Sequence, residues 1–112
     1  MFAELRIGNE EYKLRLNTRA SISLEKTLGK SPLAVFMELD NGEMPKLSDM
    51  LAILHACLQP YNHGITLDKT YDLFDRYVEN GNTLFDLIPV FIEVFQESGY
   101  ISKGNGEEAE KN

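Results

Sequence analysis

Apolar and polar residues alternate through FAELRI and again through EEYKLRL, the period of two required of a strand with one covered face. Gly8-Asn9 joins the runs, a pair suited to a two-residue turn with glycine first, so residues 2–16 are predicted to form a β-hairpin. Pairing across that turn sets Ala3 opposite Leu14 and Leu5 opposite Tyr12 on one face, with Glu4 opposite Lys13 and Arg6 opposite Glu11 on the other. A slip of one residue would break both sets. An isolated hairpin is marginal in water, so the face of Ala3, Leu5, Tyr12, Leu14 and Leu16 must cover helices or pair with another sheet.

After Asn17 the period lengthens. Thr18 is placed to cap a first helix running to about Leu28, with Ala20, Leu24 and Leu28 four apart and Gly29 as its stop. Ser31 caps a second, with Pro32 at its first position and Leu33, Phe36 and Met37 as its stripe up to about Leu39. A third opens at Lys46 or Ser48 and runs to about Gln59; Leu47, Met50, Leu51, Leu54, Cys57 and Leu58 fall at helical spacing, which marks it as the central helix. From Thr66 a fourth helix sets Leu67, Tyr71, Phe74 and Val78 opposite Asp68, Asp72, Asp75 and Glu79, the acidic face being solvated.

The fifth helix is expected over Thr83 to about Ser98, where Leu84, Phe85, Leu87, Ile88, Val90, Phe91, Ile92, Val94 and Phe95 nearly encircle it. Pro89 predicts a kink or a restart within it. A helix apolar nearly all round is either covered on every side in the core or shares a face with a partner. On the second reading Phe91, Phe95 and Tyr100 are the partner-binding candidates. The fold class is therefore α+β: an N-terminal β-hairpin followed by about five α-helices, the helical part spanning residues 18–99 of a single domain over 1–101. The remaining SKGNGEEAEKN, residues 102–112, reads as a disordered acidic tail.

A chain of 112 residues suits one core, and by the usual scaling roughly two-thirds of its surface is buried on folding, enough without disulfide or metal. Eleven basic against eighteen acidic residues give −7, which argues against nucleic acid and anionic membranes as partners. The acidity is uneven: residues 1–46 carry seven of each sign, 47–103 three against eight, and 104–112 one against three. The lone Cys57 excludes an intrachain disulfide framework and fits a reducing cytoplasm. Glu4 and Arg6 interrupt any signal-peptide apolar region, and no stretch reaches the length of a membrane span, so the chain is expected to be neither exported nor anchored.

Catalytic and ligand-binding patterns find no footing. Gly29-Lys30-Ser31 imitates the end of a phosphate-binding loop, but the first glycine of that motif is replaced by Leu24 on a helix face. His55, His63 and Cys57 lack the spacing of a zinc site, and Cys57 lies two positions from His55, which on a helix points elsewhere. They read as a partly buried histidine, an exposed one and a packed thiol. The acids of the fourth helix lack the glycine and ligand pattern of a calcium loop. The expectation is a non-enzyme with no catalytic residue, no cofactor and no metal, against which a small hydrolase would need perturbed carboxylates or His55 in a pocket.

One resemblance goes further. The strand pattern Tyr12, Leu14, Leu16, Asn17, followed by a helix ending Leu24, Glu25, Leu28, Gly29, with the hairpin before it and the acidic, Phe-rich helical second half after it, resembles the small tail assembly chaperones of long-tailed bacteriophages and prophages. The resemblance spans roughly Phe2 to Tyr100. It implies a non-enzymatic chaperone in the cytoplasm of a bacterial host, which binds the tape-measure protein, keeps its long helices from aggregating, helps recruit tail-tube subunits and leaves before the virion matures. It also implies that a chain ending in a charged, Gly-containing tail is the short product of a gene read in two frames. Self-association through hairpin edges is compatible with it. The alternative is a structural phage or prophage protein, a tail or head-tail connector subunit, retained in the particle.

Overall fold

The two N-terminal runs form an antiparallel hairpin, β1 (Ala3–Ile7) and β2 (Glu10–Leu14), in the register expected from the sequence, Ala3 facing Leu14 and Leu5 facing Tyr12. Gly8 closes the turn at φ +61 while Asn9 stays at negative φ, which suits a turn with glycine in the first central position. On the outer face the Arg6 guanidinium pairs with Glu11, its cross-strand neighbour. The structure, a computed structural model, describes residues 2–103. Most of the tail, residues 104–112, lies outside the described residues; before it, Lys103 Nζ reaches Glu97 Oε1 at 3.1 Å.

Five α-helices follow: α1 (Thr18–Leu28), α2 (Pro32–Asp40), α3 (Leu47–Leu58), α4 (Leu67–Glu79) and α5 (Leu87–Glu97). The cap of α1 is Asn17 rather than Thr18. The Asn17 Oδ1 accepts the Ala20 N–H at 2.8 Å, leaving Thr18 as the first helical residue. Asparagine is the stronger cap of the two, and it sits one residue earlier. At the other end Gly29 takes φ +75 and its N–H bonds back to the Glu25 carbonyl at 2.8 Å, a left-handed stop that a side chain would strain. Ser31 caps α2 and Pro32 occupies its first position, as the sequence implies.

The expected single fifth helix is divided. A short 3₁₀ turn, Leu84–Asp86, precedes α5, and the Thr83 N–H donates to Asp86 Oδ2 at 2.8 Å. Pro89 therefore falls in the first turn of α5, where the missing N–H would have no intrahelical partner in any case. The restart reading of that proline is the one the fold adopts.

Helix α3 is the central element, packing against α1, α2, α4 and β2. Its Met50, Leu51, Ile53, Leu54, Cys57 and Leu58 are all buried. The hairpin lays Ala3, Leu5 and Ile7 on α5 and α4, and the Arg15 N–H donates to the Cys57 carbonyl at 3.0 Å, tying the end of β2 to the last turn of α3. Phe91 and Phe95 of α5 are wholly enclosed, and the Phe36 ring of α2 meets both edge-on, at centroid distances of 5.9 and 5.3 Å. Polar ties fix the helix ends: Lys30 Nζ bridges Glu38 at 2.6 Å and Asp49 at 3.7 Å, joining the turn after α1 to α2 and α3.

Candidate functional site

Helix α4 buries a different face from its most apolar one. At about 100° per residue, Leu67, Tyr71, Phe74 and Val78 share one arc, yet the buried residues are Thr70, Leu73 and Tyr77, on an arc turned by roughly 100°. Two neighbours flank the helix at that angle. The hairpin takes one flank, where Arg76 pairs with Glu10 and the Asn80 side chain lies beside Gly8. The core takes Leu73 and Tyr77. Thr70 is tolerated on the covered side because its hydroxyl donates to the Thr66 carbonyl at 2.9 Å, which gives that buried group a partner.

Phe74 of the apolar arc is half-buried against the core, while its other three members are left open. Leu67, Tyr71 and Val78 remain 40%, 41% and 46% exposed. Along α4 they span about 16 Å, three helical turns. Where Tyr71 and Phe74 lean toward the start of α3, they form with Leu47 and Leu51 a seam of about 350 Å³, Asp75 standing on its rim. Toward the other end, Leu67 meets a shallow groove of about 490 Å³ whose floor is Ala52 and Ala56 of α3 and whose far wall is α1. Small floor residues keep it open. Asp68, Asp72, Asp75 and Glu79, all exposed as expected, line the solvent flank of the stripe. The cations of α4 lie on the far side, and Arg76 is held there by Glu10, whose carboxyl the Tyr12 hydroxyl and then Arg76 keep below the usual range.

The residues singled out from the sequence are dispersed. Phe91 and Phe95 are enclosed in the core, so they offer no surface to a partner in this conformation. Tyr100 is half-buried, its ring edge-on to Phe95 at 5.2 Å. The outer side of α5 exposes Ile92 instead, and Phe85 projects from the preceding turn. His55 is half-buried on the α3 wall of the larger groove and His63 is exposed in the loop after α3. Cys57 is fully buried and desolvation pushes its thiol well above the ordinary range, which makes it inert. Gly29-Lys30-Ser31 serves as helix stop, ion-pair bridge and helix cap. Among the described residues, no group of three or more His, Cys, Asp or Glu is placed to hold a metal ion, and no helix is long and apolar enough to cross a membrane.

A family model described as a family of unknown function, DUF6096, matches residues 3–112, nearly the whole chain. The chain belongs to DUF6096. No curated protein and no solved structure matches it. On α3 and α4 this DUF6096 member presents an apolar stripe with small-residue grooves beside it and one acidic margin. Apolar surface beside a charged margin is also what protein–protein interfaces in general are built from.

Proposed function

We propose that this DUF6096 member is a non-enzymatic protein-binding module serving as a tail assembly chaperone of a phage or prophage, acting in the bacterial cytoplasm on the tape-measure protein and assisting recruitment of tail-tube subunits. The observation that carries the binding role is the stripe of Leu67, Tyr71 and Val78 held open on α4 beside the α3 seam. A contiguous exposed apolar stripe rimmed by polar residues is the kind of surface that meets a partner. Support for the client comes from the strand and helix pattern of Tyr12 to Gly29 together with the acidic helical second half. A long helical client with unpaired apolar seams needs what this surface supplies: reversible apolar cover and a charged margin that keeps the complex soluble.

The test is affinity capture of the tagged chain from cells expressing a complete tail gene cluster, with mature particles analysed alongside by mass spectrometry. Recovery of the tape-measure or tail-tube protein, with the chain missing from particles, is the expected result. Abundance in mature particles assigns it instead to the structural subunits. Capture of neither protein overturns the chaperone reading.

A further inference from the structure

We infer that the stripe of α4 and the seam with α3 take one amphipathic α-helix of about three turns whose apolar face is bordered by basic residues. The length follows from the stripe: Leu67 to Val78 spans about 16 Å, matching an occupant with apolar residues at i, i+4, i+7 and i+11. Its seat is the seam lined by Leu47, Leu51, Tyr71 and Phe74, where a large side chain of the incoming helix enters. The basic border follows from charge complementarity. Asp68, Asp72, Asp75 and Glu79 form an unbroken exposed acidic row along one side of the stripe, while Arg76 is turned away and engaged by Glu10.

Two other occupants have the wrong chemistry. A second copy packing the same stripe antiparallel about a twofold axis brings two acidic rows together, and in any arrangement it joins chains that each carry −7. The tail GNGEEAEKN offers three glutamates, one lysine and a single alanine, neither apolar enough for the seam nor basic enough for its rim. The inference deepens the chaperone reading and rests on it for the identity of the client, a helix of the tape-measure protein; the chemistry of the helix is read from this surface.

The experiment titrates the full chain with hydrocarbon-stapled helical peptides of about four turns, carrying leucines at that spacing and either lysines or glutamates beside them, followed by fluorescence anisotropy. The lysine-bordered peptide is expected to bind at least about tenfold tighter, with the preference shrinking as salt rises from about 0.05 to about 0.5 M. Asp72→Lys with Asp75→Lys should reverse the preference. Tyr71→Ser with Val78→Ser should weaken binding about thirtyfold while circular dichroism keeps the native helix content and the melting temperature falls by no more than about 8 °C. A photo-reactive version of the lysine peptide should label α3 and α4 of the unmodified chain, a readout that needs no variant to fold. Equal binding of the two peptides, binding of neither, or labelling elsewhere overturns the inference. So does sedimentation showing a dimer that Tyr71→Ser with Val78→Ser dissolves. Capture of the tape-measure protein separates the two claims. If the native chain and the stripe variant capture it equally, the chaperone reading stands and this surface is not its site. If the peptide binds at the stripe and the tape-measure protein does not, the surface stands and the chaperone reading falls.

Discussion

Phe91→Ala separates a ring that holds the core from one that faces a partner. Phe91 is fully enclosed, so removing its ring forfeits about 2–3 kcal/mol of transfer free energy. The edge contact with Phe36 at 5.9 Å contributes about 0.5–1.5 kcal/mol more. The void left between α2, α5 and β1 collapses only partly, and the total falls within the usual 3–5 kcal/mol for such a truncation. In a chain of 112 residues the unfolding entropy makes each kcal/mol worth about 4 °C, so the melting temperature should fall by about 12–20 °C. Tyr71→Ala, on the open stripe, should move it by no more than about 4 °C. Thermal melting followed by circular dichroism, with urea denaturation as a second measure, reads both. A Phe91→Ala chain melting within about 4 °C of the native one would refute the enclosure of that ring, and a Tyr71→Ala chain losing more than about 10 °C would refute the openness of the stripe.

Further outcomes follow from the caps, the hairpin and the thiol. Asn17→Ala should cost about 1 kcal/mol in urea denaturation, and Thr18→Ala a few tenths, because Asn17 accepts the Ala20 N–H while Thr18 is already helical. Glu10 is held below its unfolded pKa by Tyr12 and Arg76, so its contribution is present above about pH 4.5 and lost as pH falls through the folded value; the difference in melting temperature between the native chain and Glu10→Gln should be seen at neutral pH and vanish in strong acid. Cys57 should resist a thiol reagent such as iodoacetamide in the native state and react at once in denaturant, with labelling in the native state tracking global unfolding.

Local order was legible in the chain by itself. Strict alternation around Gly8-Asn9 determined the hairpin and its register, because a slip of one residue would turn every apolar side chain outward. Gly29, Ser31 and Pro32 marked where one helix stops and the next begins, since each has a backbone or capping property that few residues share. A broad apolar stripe at helical spacing announced α3 as the central helix. The identity of α4's apolar arc was equally plain, and its exposure was not: an amphipathic pattern says which side chains cluster, whereas the angle at which the helix sits depends on every element it touches. Here the enclosure of Leu73 and Tyr77 turns it, and the exposed Glu10–Arg76 pair, 66 residues apart in sequence, follows from that placement. The same holds for α5. Its surplus of apolar residues was evident, but only the packed structure decided that Phe91 and Phe95 meet Phe36 in the core while Ile92 stays open. Periodicity is a property of neighbours along the chain; which face is covered is settled by contacts between segments far apart in it, and those contacts exist only once the whole chain has folded.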